Sequence, residues 1–108
     1  MSLEHENCPC MDTCPLNRAM ALIGGKWKMQ ILCSLYNNGP TRYNQLKKTL
    51  DGVSNTVLAN ALRELEEDRL ITRTEYLEVP VRVEYAITDP CRKLIPILDE
   101  LGSWSIAL

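Results

Sequence analysis

The chain has 108 residues, of which 45% are hydrophobic and 24% charged, and a formal charge of −2; this is the composition of one folded domain and too little chain for a large multidomain enzyme. The longest apolar stretch, Ala19 to Ile23 running into Gly24-Gly25, is far short of the roughly 20 residues a bilayer helix needs, so no membrane partner is expected. A single histidine (His5), the absence of GxGxxG, GxxxxGKS and GxxxxGKT, and the lack of any Phe exclude a histidine-based hydrolase, a dinucleotide cradle and an aromatic RNA-binding platform. Binding, with no catalysis and no cofactor, is the class that remains.

The first residues carry Glu4, Glu6 and Asp12 and no basic-then-apolar run, so no secretory signal is read. A cytoplasmic location is expected and the cysteines are taken as thiols. Residues 1–13 read as a flexible Cys-containing leader. Pro15 to Ile23 then forms a first helix, broken by Gly24-Gly25. In a second helix, Lys26 to Tyr36, the residues Trp27, Ile31, Leu32 and Leu35 recur at helical spacing until Asn37-Asn38-Gly39-Pro40 ends it. Thr41 is expected to cap a short third helix from Arg42 to Leu50, and Asp51-Gly52 to turn the chain.

The fourth helix starts at Ser54, a good N-cap, and runs to about Asp68. At 100° per residue Val57, Leu58, Ala61, Leu62 and Leu65 share one side, and Asn55, Thr56, Ala59, Asn60 and Arg63 the other. Leu70 to Leu77 and Val83 to Ile87 read as two strands joined by a proline-stiffened tip, Glu78-Val79-Pro80-Val81-Arg82. Thr88 caps a last helix from Asp89 to about Ile106, with Pro90 tolerated in its first turn and Pro96 expected to kink it. The class predicted is mainly α with a small β-hairpin, in the order α-α-α-α-β-β-α. That is a winged helix-turn-helix, occupying residues 14–108.

Charge is uneven along this chain. Between Pro15 and Leu50 stand Arg18, Lys26, Lys28, Arg42, Lys47 and Lys48 with no Asp or Glu, a local +6 that leaves −8 for the rest of a chain whose total is −2. Such a basic face suits phosphates; lysines that merely solvate helix surfaces are the alternative. The outer stripe of the fourth helix is polar and acid-free until Arg63, so a polyanion would meet its N-terminal half, where the helix dipole assists. Asn55, Thr56, Asn60 and Arg63 are therefore candidates for base edges, since Asn pairs bidentately with adenine and Arg with guanine. Ser54, Arg42 and Lys26 are candidates for phosphate contacts that set register. Arg82, placed at the wing tip, would enter a minor groove, unless it pairs with Glu75 or Glu84. The last helix presents Leu94, Ile97, Leu98, Leu101, Trp104 and Leu108 on one side, more apolar surface than one small core hides. Leu94, Leu98, Leu101 and Trp104 are accordingly read as a homodimer interface that sets two reading helices about 34 Å apart on double-stranded DNA.

Five fragments in order, Cys14-Pro15, Ile23-Gly24-Gly25-Lys26-Trp27, Arg42-Tyr43-Asn44-Gln45-Leu46, Leu62-Arg63-Glu64-Leu65-Glu66 and Val79-Pro80-Val81-Arg82-Val83-Glu84-Tyr85, make the chain resemble the HxlR-type winged-helix transcriptional regulators from residue 14 to about 105. The resemblance implies a small dimeric DNA-binding regulator and, for some members, response to oxidants or electrophiles through the thiol at the position of Cys14. The family often carries Gly or Asn where Arg69 stands, a position suited to left-handed backbone. A dipole at the start of the first helix, with Arg18 one turn on, would favour the Cys14 thiolate. Cys33 reads as buried and Cys91 as a candidate disulfide partner. His5, Cys8, Cys10 and Cys14 raise a zinc reading, but C-x-C spacing without a second knuckle leads us to expect no metal site; unreactive cysteines are a further alternative. A winged-helix protein–protein interaction module is the competing function, and a thiol oxidoreductase, lacking C-x-x-C, a third.

Overall fold

The computed structural model describes residues 14–108; the leader read over residues 1–13, with His5, Cys8 and Cys10, lies outside the described residues. Helix α1 (Pro15–Ile23) ends where Gly24 donates its amide to the Met20 carbonyl, and a Cβ on Gly24 would collide with that same oxygen. Gly25, at φ 102°, turns the chain into α2 (Lys26–Asn38). Helix α2 is the centre of the fold: Ile31, Leu32 and Leu35 are completely buried and Trp27 packs beside them.

Strand β1 (Thr41–Arg42) follows, then α3 (Tyr43–Thr49) and α4 (Asn55–Glu67). Leu46 from α3 and Leu58, Leu62 and Leu65 from α4 meet the α2 residues in one cluster, closed by Ile71, Ile87 and Cys91. Each fully buried aliphatic side chain stabilises the fold by about 1.5–3 kcal/mol. Strands β2 (Ile71–Tyr76) and β3 (Arg82–Ile87) form the antiparallel wing in register Ile71 with Ile87 and Tyr76 with Arg82. Helices α5 (Asp89–Arg92) and α6 (Leu94–Ile106) complete the chain. The architecture is a winged helix, mostly helical with a three-stranded sheet in the order β1-β3-β2.

Four expectations are corrected. Thr41 does not cap α3: its hydroxyl donates to the Gly39 carbonyl at 2.7 Å while its backbone pairs with Tyr85, and Arg42 occupies the N-cap position. The free edge of β3 offers a β-branched residue a hydrogen-bonding partner that no local pattern announces. Val57 is not in the core but 42% exposed, because Leu58, Ala61, Leu62 and Leu65 already fill the arc of α4 that faces α2 and β2. Arg82 begins β3, paired with Tyr76, instead of standing at the wing tip. The last helix is two helices: Thr88 caps the first by accepting from the Cys91 amide, and the break falls at Lys93. Pro96 has no N–H for the Arg92 carbonyl and its ring crowds that carbonyl, so the expected kink becomes an interruption one turn upstream.

Candidate nucleic-acid interface

Helix α4, the candidate reading helix, is set at its start by chemistry local to the sequence. Ser54 accepts from the Val57 amide at 3.1 Å, and its carbonyl receives the Leu58 amide at 2.9 Å. With Leu58, Leu62 and Leu65 buried, helical geometry leaves Asn55, Thr56, Ala59, Asn60 and Arg63 exposed. No acidic residue lies in the first turn. The N-terminal half of α4 is thus a polar, uncharged strip at the positive end of a helix dipole.

Two of the strip's residues are restrained by neighbours. The Tyr43 hydroxyl stands 3.1 Å from the Asn55 side-chain oxygen and 3.2 Å from its carbonyl oxygen. This contact pins the start of α4 to the start of α3, and Tyr43 is the site residue that sequence reasoning missed. Its only sequence cue is its place one position after Arg42, because its partner lies on another helix. Arg63 lies 3.3 Å from Glu67 and 4.0 Å from Glu64, so its charge is partly compensated on its own helix. Thr56 and Asn60 carry no such tie among the hydrogen bonds of the described residues.

The basic segment divides in the same way. Lys28 is committed inward, its ammonium 2.8 Å from the Glu64 carboxylate of α4. The hydrogen bond and charge of Lys28 hold the Glu64 carboxyl below the usual glutamate value. Arg42, Lys47 and Lys48, in contrast, form no ion pair among the described residues. Arg42 and Lys48 flank a cleft of about 490 Å3 walled by Asn44, Gln45 and Thr49, with no carboxylate in it. Lys26 is exposed at the first turn of α2, 4.7 Å from the centre of the Trp27 ring. It borders a second groove, of about 240 Å3, running between Gly24-Gly25 and the Val57, Asn60 and Glu64 side of α4.

The wing differs from its sequence reading. Arg82 reaches Glu78 at 3.2 Å and Glu84 at 3.6 Å, and its guanidinium carbon lies 4.2 Å over the Tyr76 ring. The Glu84 separation is an ion pair and not a hydrogen bond, and the buried Nε atom has no hydrogen-bond partner. Glu75 pairs with Arg73 instead, at 3.9 Å. What projects from the tip is apolar: Leu77, Val79 and Val81 are all exposed.

In α6, Leu94 and Leu98 are half-buried against the core, whereas Leu101 and Trp104 stand with Ile97 on a separate, exposed face. Leu94 and Leu98 are therefore intramolecular packing residues to a degree the one-sided reading missed, because α6 has two apolar faces about a quarter-turn apart. Leu16 and Met20 on α1 are exposed as well. The thiols also rearrange. Cys14, the N-cap residue of α1, is 2% exposed, and its carbonyl accepts from the Arg18 amide at 3.1 Å. Cys33 is half-buried instead of buried, and Cys91 is the deeply buried one, with burial pushing its thiol pKa up. None of the three is joined in a disulfide to another. Among the described residues no three His, Cys, Asp or Glu side chains gather to hold a metal ion, and no helix is long and apolar enough to cross a membrane.

Residues 22–107 match the family model described as HxlR-like helix-turn-helix. An HTH-type transcriptional regulator of Halalkalibacterium halodurans is 42% identical over 92 residues, covering 85% of this chain and 81% of that protein. Among solved structures, the redox regulator HypR in its oxidized form is similar with a TM-score of 0.80 at 33% identity, over 88% of this chain and 97% of that one. The reduced form of the transcriptional regulator YodB from B. subtilis gives 0.78 at 31% identity, over 86% and 91%.

Proposed function

Since this chain belongs to the HxlR-like helix-turn-helix family of transcriptional regulators, we propose that it works as a homodimer that inserts the first turns of α4 into the major groove of a pseudo-palindromic operator. The observation that carries this reading is the exposed, acid-free polar strip of α4. Thr56 and Asn60 are its freest hydrogen-bonding side chains; Asn55 contributes its amide donors while its oxygen stays near Tyr43. Arg42 at the N-cap of α3 and Lys48 on α3, with Lys26 on α2 and Ser54 at the α4 cap, take phosphates and fix the register. Arg63 reads a base only by leaving Glu67, and Arg82 reaches DNA only by leaving Glu78 and Glu84.

Dimerisation supplies the second half-site. The exposed Ile97, Leu101 and Trp104 of α6 and Leu16 and Met20 of α1 are apolar groups that a second copy would cover. A two-fold pairing through it repeats the reading helix at about one DNA turn.

Similarity to a redox regulator supports a thiol switch at Cys14. Two thiols would lose two electrons and two protons to an oxidant and join as a disulfide, shifting the spacing of the two α4 helices. Because Cys14 is 2% exposed, the N-terminal turn of α1 must open before that thiol reacts.

A gel shift with the DNA upstream of the chain's own gene tests these claims together. Binding should weaken with salt at a slope of about −0.9 per phosphate neutralised; salt-insensitive retardation would instead fit a protein-interaction module. Diamide should change the retardation of the wild type and leave Cys14→Ser unaffected. Equal behaviour of the two proteins in both redox states removes the switch.

A further inference from the structure

We infer that Val57 reads the 5-methyl group of a thymine, with Lys26 taking a phosphate of the same strand. The inference rests on the DNA-binding reading above and names a specificity contact within it. Val57 is 42% exposed on a helix whose neighbouring Leu58 is completely buried. Its amide is held by Ser54 at 3.1 Å, so the side chain is carried on a fixed turn and not on a fraying end. It shares its groove with Trp27 and Ala61, and the exposed Asn60 and Lys26 stand at the groove's margin. The one carboxylate there, Glu64, is occupied by Lys28 at 2.8 Å, which removes most of its repulsion toward an approaching phosphate. The groove therefore combines an apolar wall, an amide, a carboxylate already paired with Lys28, and an ammonium that has no carboxylate partner among the described residues.

That combination selects its ligand by chemistry. The thymine methyl is the apolar group that a base pair displays in the major groove, and apolar side chains are the means of recognising it. An exposed valine amid hydrogen-bonding residues gains little from water and offers nothing to a guanine or adenine edge. Against a methyl group it gains roughly the value of one buried methylene, or about fourfold in affinity.

The test is a four-way comparison. Duplexes enriched from a random library by the wild-type protein are synthesised with thymine and again with uracil, which lacks only the methyl. Wild-type affinity should fall by roughly fourfold for each methyl contacted. Val57→Ser should bind both duplexes equally, and Asn60→Ala should weaken both while keeping the thymine preference. A wild type indifferent to uracil, or a Val57→Ser protein that keeps the preference, overturns the inference while leaving DNA binding intact. Failure to enrich any duplex overturns the DNA-binding reading itself, and this contact with it. Since Val57 contributes little to the core, the Val57→Ser protein should show an unchanged urea midpoint.

Discussion

Arg69 shows how much one residue can conflict with the turn it occupies. It sits at φ 64°, the only non-glycine left-handed residue among those described, immediately after α4. The turn is a Schellman closure: the Arg69 amide donates to the Glu66 carbonyl at 3.0 Å and the Leu70 amide to the Leu65 carbonyl at 2.9 Å. Thr88 reinforces it by donating its hydroxyl to the Arg69 carbonyl at 3.0 Å. The turn persists because Leu65 and Leu70 pack together beneath it and the wing must start in that direction. Left-handed backbone costs a side-chain-bearing residue about 1–2 kcal/mol, part of which glycine returns through its freer unfolded chain. Arg69→Gly is expected to stabilise the protein by about 1 kcal/mol. Urea unfolding should show a higher midpoint at unchanged slope.

At the scale of elements, helix α4 is joined to the rest of the domain by two kinds of contact that respond differently to conditions. Its leucine stripe is insensitive to pH. Its link to α2 through Lys28 and Glu64 is not, because the Glu64 pKa is lowered chiefly by the Lys28 hydrogen bond and charge. A carboxyl whose folded pKa lies below its unfolded value contributes stability that is present above the unfolded pKa and disappears as pH falls through the folded one. Acidification through the lower carboxylate range should therefore loosen α4 against α2. Urea midpoints across that range should fall more steeply for wild type than for Lys28→Met, which lacks the pair at every pH. Parallel curves for the two proteins would show that the pair contributes nothing measurable, as many exposed pairs do. Near neutrality the same pair neutralises a carboxylate beside Asn60, and in the proposed complex Lys28 would thereby serve the interface without touching DNA.

For the whole molecule the decisive feature is a division of surfaces. Arg42, Lys48, Thr56 and Asn60 offer exposed polar and basic groups, while the apolar groups of α1 and α6 that the core does not take are exposed to solvent and, in the proposed dimer, would meet a second copy. Trp104, 61% exposed, and Leu101, 53% exposed, are large apolar groups that a monomer leaves in water. Replacing both, as Leu101→Glu with Trp104→Glu, should leave the fold intact and give the monomer mass in analytical ultracentrifugation at micromolar concentration. DNA affinity should then fall by orders of magnitude, because a single half-site holds only one reading helix. A wild type that sediments as a monomer would contradict the assembly directly.

The elements legible from the chain alone are those whose causes lie within a few residues. The boundaries of α1, the capping of α4 by Ser54 and the capping by Thr88 follow from neighbours one turn away, whereas the left-handed place of Arg69 was implied by the family resemblance. The resemblance in five ordered fragments extended this to the winged-helix architecture. Thr41 joining Tyr85 across the sheet, Arg82 folding onto Glu78, Glu84 and Tyr76, Tyr43 holding Asn55, and Lys28 meeting Glu64 were legible only once the chain had folded. Helical periodicity placed Val57 on the core side, and the filled arc beside it left that valine in solvent. Sequence by itself therefore determined where most helices begin and where the chain turns, since hydrogen bonds and caps act over short separations. Tertiary structure decided which charged and apolar side chains remain free to bind, because that depends on partners brought together only by the packing of the core.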